Sequence, residues 1–190
     1  MRKVILSMQM TLDGIIEGPK GSMDGVVSDS DETWDDMFEF LEAADTFILG
    51  RVMYPDYESY WSAALNNESS PANEVKFARL AKQSQHLLIS TTVKQVSWDN
   101  TSIISDNISE EILTLKQQPG KNMVIWGGAM LASTFINLNL VDEYRLLVNP
   151  AILGSGKYLF SNLEALHKLQ LIHSRTFASG GALLHYQARK

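Results

Sequence analysis

The stretch Asn122–Phe160, NMVIWGGAML ASTFINLNL VDEYRLLVNPAILGSGKYLF, decides how the rest of the chain is read. Met123–Trp126 is a short apolar run of β-formers, Gly127-Gly128 interrupts it, and Ala129–Asn137 resumes with apolar residues at helical spacing. That predicts strand, tight turn, helix. Two glycines at such a junction leave backbone N–H groups uncovered at the positive end of a helix dipole, so Gly127, Gly128 and Ala129 form a candidate anion site. A tight turn with no ligand is spelled the same way, and the motif is far shorter than a dinucleotide fingerprint. Tyr144–Val148 then reads as a further strand ending in Asn149-Pro150. The GSGK that follows fails as a phosphate loop, because Ala151 stands at the first-glycine position and Tyr158 at the hydroxyl position.

Working toward the N-terminus, the same pattern repeats. Lys3–Met8 is a mostly apolar strand running into Thr11-Leu12-Asp13-Gly14. Thr46–Leu49 is a second, followed by Gly50-Arg51 and a helix entered at Pro55; amides plus a guanidinium suit a phosphate. His86–Ser90 is a third, continued by Thr91, whose hydroxyls suit a phosphate or ribose, and Thr101–Ser105 is a short fourth. Between the first two, Glu17–Ser28 is a loop, and Asp29 or Ser30 caps a helix striped by Trp34, Met37, Phe38 and Leu41. Most carboxylates from Asp13 to Asp45 read as a solvated face, with Asp31, Glu32 or Asp35 as candidates to reach a substrate pocket. Glu74–Gln83 and Ser109–Gln117 are further helices, and Leu169–Phe177 and Ala182–Ala188 flank Ser179-Gly180-Gly181 as an antiparallel hairpin. In a mainly parallel sheet, Asp13-Gly14, Gly50-Arg51, Ser90-Thr91 and Gly127-Gly128 all lie on one edge, where open α/β sheets bind ligands.

The 190 residues fit a single domain, 1–190, with 45% hydrophobic and 20% charged residues, as in an ordinary globular protein. A formal charge of −6 argues against a nucleic-acid partner, which needs a basic face. The chain has no cysteine, which removes disulfides, thiolate nucleophiles and cysteine metal sites and is compatible with the cytoplasm. No apolar run approaches the roughly 20 residues a membrane span needs. The histidines show no ligand spacing, so no metal is expected.

TLDG after the first strand, LGR before the second helix, VIWGG, and VDEYRLLVNPAILGSGKYLF before a terminal hairpin resemble the dihydrofolate-reductase-like family. The likeness is specifically to the reductase domain of riboflavin-biosynthesis deaminase/reductases, in its stand-alone bacterial form. It implies an α/β fold with a mostly parallel twisted sheet, flanking helices and antiparallel C-terminal strands. It also implies an NADP cofactor, hydride transfer to a pteridine- or aminopyrimidine-like substrate, and a homodimer. By similarity, Gly127, Gly128 and Ala129 would meet the pyrophosphate, Gly50 and Arg51 the phosphates, and Ser90 and Thr91 the adenosine ribose. Asp13 would be the catalytic residue, with Thr11, Glu32, Asp35, Leu153 and Gly154 around the substrate. Ile15 departs from the pattern, since riboflavin-pathway members carry a basic residue directly after the Asp-Gly pair. A non-catalytic nucleotide- or flavin-binding dimer on the same fold is the competing expectation.

Overall fold

A computed structural model describes residues 1–189. Six strands are parallel: β1 (Val4–Thr11), β3 (Ala44–Gly50), β4 (Gln85–Ile89), β5 (Thr101–Ile104), β6 (Asn122–Ile125) and β7 (Glu143–Asn149). The C-terminal hairpin, β9 (Leu169–Thr176) and β10 (Ala182–Ala188), extends the sheet through an antiparallel β7–β10 pair. The strand order is β5-β4-β3-β6-β1-β7-β10-β9, as expected for a parallel body closed by two antiparallel strands. A small second sheet that the sequence reading missed joins β2 (Ile15–Glu17) to β8 (Lys157–Tyr158). Strands this short carry too little periodicity to be seen in sequence.

Two apolar layers sandwich the sheet. On one side Val4, Leu6, Ile48, Met123, Ile125, Tyr144 and Leu146 pack under α4 (Ile108–Gln117) and α5 (Ala129–Asn137). On the other, Phe47, Leu49, Leu88 and Val124 pack under α1 (Asp31–Leu41), α2 (Tyr54–Asn66) and α3 (Ala72–Gln83). The alternation of Val4 and Leu6 toward one layer with Ile5, Ser7 and Gln9 toward the other follows from the two-residue period of a strand. Ser30 caps α1, accepting from the Thr33 N–H at 3.3 Å, and the Thr33 hydroxyl returns the contact in a capping box. This settles the choice between Asp29 and Ser30 and leaves Glu32 free of the cap.

The second layer encloses His86, which is 0% exposed. Its ring lies 5.6 Å from Phe47, 5.7 Å from Tyr57 and 5.2 Å from Trp98, with Nδ1 unpartnered and Nε2 3.4 Å from the Tyr57 hydroxyl. Burial in this aromatic shell pushes its pKa down to about 4. The unfolded chain therefore takes up the proton first as pH falls below the ordinary histidine value, and stability present above that value is lost on the way down to the folded pKa. Between pH 7 and pH 5 the loss attributable to His86 is roughly 2 kcal/mol, at about 1.4 kcal/mol per pH unit. Urea unfolding of His86→Phe at both pH values should show that part of the loss gone; equal losses in both proteins would clear His86 of the effect.

Candidate cofactor and substrate site

The register of the strands shapes the carboxyl edge of the sheet into a step. Ile48 and Leu6 both pair with Ile125, Gly50 pairs with Ile89, and Ile89 with Ile104, so β3, β4 and β5 end level with one another and β6 ends two residues short of them, which brings Gly127 level with Gly50. β1 continues beside β7 to Thr11, three residues beyond the level of Gly50 and roughly 10 Å above it at about 3.3 Å per residue. Gly50-Arg51, Ser90-Thr91 and Gly127-Gly128 thus form a floor, and the projecting end of β1 a wall above it. Met123 N–H donates to the Lys3 carbonyl at 2.8 Å, so the odd residues of β1 turn their backbone toward β6. Gln9 is in that phase beyond the last β6 pair, and its N–H and C=O face the recess with no strand opposite.

On the floor, Gly128 begins α5 with φ +81°, no side chain caps the helix, and a Cβ at Gly128 would meet nothing within 4 Å. The first N–H groups of α5 are therefore open to a ligand. Gly127 is buried, and a Cβ there would fall 2.2 Å from the Met53 sulfur, which accounts for the glycine by packing alone. A Cβ at Gly50 would lie 3.6 Å from Leu131 Cβ, which sets the β3 end directly beside the first turn of α5. Arg51 is exposed and unpaired among the described residues. Thr91 is exposed, but Ser90 is buried and its hydroxyl accepts from Thr92 N–H at 3.2 Å and Val93 N–H at 2.9 Å, closing the turn. Trp126, half-buried before the glycines, stacks on Phe47 at 5.6 Å on the α1 side of the sheet.

At the top of the wall Thr11 is fully buried; its hydroxyl donates to Asp13 Oδ1 at 2.6 Å and accepts from Ile15 N–H at 3.0 Å. Asp13 Oδ1 also receives Leu153 N–H at 3.3 Å, and Oδ2 receives Gly154 N–H at 2.8 Å. The Thr11 hydroxyl first, and then these amides, hold the Asp13 carboxyl below its usual pKa. Leu153 is half-buried and Gly154 exposed, with the Gly154 donor committed to Asp13.

Of the α1 carboxylates, Asp35 is exposed on the outer side. Glu32 accepts from Ala178 N–H at 2.8 Å and from Arg175 at 3.1 Å, and those contacts, the Ala178 amide first, lower its pKa. The residue that turns toward the sheet is Asp36, which pairs with Arg145 in the middle of β7 and lies 3.5 Å from Arg175. Arg145 is 8% exposed and its guanidinium stacks over Phe40 at 4.5 Å. Both were missed in sequence, although an arginine inside the apolar run Tyr144–Val148 must find a carboxylate, and Asp36 lies one turn after Glu32. Among the described residues no group of histidine and carboxylate side chains could hold a metal.

The strand order, the uncapped helix at the floor and the terminal antiparallel pair define an α/β domain of the dihydrofolate-reductase-like class. The chain belongs to the RibD C-terminal domain family, whose model matches residues 2–183. The uncharacterized protein YyaP of Bacillus subtilis (strain 168) is 38% identical over 186 residues, covering 97% of this chain and 94% of the relative. The structure is similar to a putative riboflavin biosynthesis protein from Shewanella sp. PV-4, with a TM-score of 0.77 and 18% identity over all of both chains. It is also similar to dihydrofolate reductase from Enterococcus faecalis in complex with NADP(H) and RAB-propyl, with a TM-score of 0.63 and 11% identity over 99% of this chain and 97% of that one. At these identities the structural likeness establishes the fold, which is that of riboflavin- and folate-type reductases.

Proposed function

We propose that this protein is an NADPH-dependent reductase of a small, uncharged heterocycle of pteridine or aminopyrimidine type. The stepped edge carries the reading. A floor with open helix amides and an unpaired arginine suits a dinucleotide's phosphates, and the wall above it offers an unsatisfied backbone pair for a carboxamide. Gly128, Ala129 and Arg51 would hold the phosphates, Thr91 the adenosine ribose, and the Gln9 backbone the nicotinamide. When bound, NADPH supplies the hydride; the chain's own residues orient the two rings and exclude water.

Ile15 is 0% exposed, so the position that is basic in riboflavin-pathway members is here part of the core. Arg145, Arg175 and Lys157 are already paired with Asp36, Glu32 and Glu17. With its basic groups engaged, the substrate side favours a flat uncharged ring over a sugar phosphate. Every residue of β9 from Gln170 to Thr176 is exposed, which supports a homodimer formed along that edge. No helix among the described residues is long and apolar enough to cross a membrane.

Titration with NADPH should give saturable quenching and a blue shift of its fluorescence, with NADH binding more weakly. Arg51→Ala should weaken NADPH about tenfold and NADH less than twofold, a difference of roughly 1 kcal/mol for the extra phosphate. Equal losses would remove Arg51 from that role, and no saturable signal in the wild-type protein would sink the cofactor assignment. One observation favours a second reading. Asp36 and Glu32 are both consumed by arginines, which leaves neither free to deliver a proton, as in a nucleotide- or flavin-binding domain without turnover. Hydride transfer to any of a panel of pterins, uracils or quinones dismisses that reading; a yellow purified protein supports it.

A further inference from the structure

Asp13 meets the segment 151–158 at one end of a series of contacts that no local sequence pattern announces. Leu12 N–H donates to the Ala151 carbonyl at 2.8 Å, and Asp13 takes the Leu153 and Gly154 amides. Gly156 then presses on the opposite loop, since a Cβ there would sit 2.4 Å from the Glu17 carbonyl and 2.7 Å from Ile15 Cγ2. Lys157 pairs with Glu17 at 2.6 Å, and Leu159 N–H closes the series on the Gly14 carbonyl at 2.9 Å. Two loops separated by about 140 residues of chain are thereby sewn together at the top of the β1 wall. Of these links, the Asp13 carboxylate is the one side chain that gathers donors from both loops at once: the Thr11 hydroxyl from its own, the Leu153 and Gly154 amides from the other.

We propose that Asp13 is a positioning residue, a latch that fixes the 151–158 segment across the end of β1 and so shapes the upper boundary of the recess, and that it does not transfer the proton of the reduction. A carboxylate that already receives a hydroxyl and two amides has both oxygens engaged by donors of the chain, and a proton on it would break the contacts that place it. The two oxygens are not equivalent. Oδ1 serves Thr11 and Leu153, whereas Oδ2 serves Gly154 alone. Asp13→Asn, keeping its oxygen at the Oδ1 position, sets an NH2 group against the Gly154 N–H and releases that link only; Asp13→Ala releases both.

Amide hydrogen exchange on the full chain reads this directly. In Asp13→Ala both Leu153 and Gly154 should exchange at least tenfold faster, and in Asp13→Asn only Gly154 should, with the β1–β7 ladder within twofold of wild type in each. The kinetic counterpart rests on the reductase reading: KM for the heterocycle should rise about tenfold, with kcat within threefold. Unchanged exchange at both amides in Asp13→Ala overturns the latch. So does a kcat that falls more than a hundredfold in Asp13→Asn while Gly154 stays protected, the signature of a proton donor. If Asp13→Ala fails to fold, the one-sided pattern in Asp13→Asn decides. If the wild-type protein reduces nothing, the reductase reading falls and the exchange result still judges the latch by itself.

Discussion

Gly128→Asp should abolish NADPH binding, lowering affinity more than a hundredfold, while the protein stays folded. Gly128 opens α5 at φ +81° and ψ 120°, exposed, with nothing within 4 Å of where a side chain would go. A substituted residue there carries backbone strain of about 1–3 kcal/mol, which is a cost in stability and not in binding. The carboxylate adds a like charge within a few ångströms of the position proposed for the phosphates. At an effective dielectric of 20 and a separation near 4 Å that repulsion is on the order of 4 kcal/mol, several times what the helix end contributes in attraction. Gly128→Ala carries the same strain without the charge and should lose stability while binding NADPH within about twofold of wild type. Fluorescence titration of both variants, with thermal unfolding as the control, separates the two effects. An Asp variant that binds within threefold of wild type would take the phosphates away from this helix end.

Asp36→Ala should destabilise the protein by about 3–5 kcal/mol, the usual consequence of leaving one member of a buried ion pair without its partner. Arg145 is 8% exposed, and burial already lowers its pKa to about 10, so the cation has little water to fall back on once Asp36 is gone. Its remaining polar contact would be the Asp36 carbonyl at 3.5 Å, at the outer limit of a hydrogen bond. For a domain of this size the loss lowers Tm by on the order of 10 °C. Replacing Arg145 as well, as in Asp36→Ala with Arg145→Met, removes the stranded charge and should recover most of that loss. Chemical denaturation of the two single variants and the double variant gives the coupling. A single Asp36→Ala loss below about 1 kcal/mol would mean that water reaches the guanidinium and that the pair is not what holds α1 to β7.

How far the sequence could be read differs from element to element for physical reasons. The strand Asn122–Ile125 and helix Ala129–Asn137 are announced by Gly127-Gly128, because a positive φ and a 2.2 Å approach to the Met53 sulfur admit little but glycine. The cap of α1 could be narrowed to Asp29 or Ser30 because capping is settled within three residues, and the structure chooses Ser30. Ser90 reads as a ligand-side hydroxyl from its place at a strand end, and Thr11 as a substrate-side one from the family resemblance, yet each is spent on its own loop, a use that depends on turn geometry a few residues further on. Asp35 and Asp36 are neighbours in sequence and differ by about 100° around the helix, so which one faces the sheet is set by how α1 is docked.

By itself, then, the sequence determined the succession of hydrophobic strands and helices and the antiparallel close, since periodicity, turn glycines and caps are local properties of the chain, and its motifs carried the resemblance to the family. Only the tertiary structure decided the step at the sheet edge, the Asp36–Arg145 pair and the seam between Asp13 and residues 153–154. Each depends on the register between segments more than a hundred residues apart, and register is fixed by the summed packing of two apolar layers, which no short window of residues encodes.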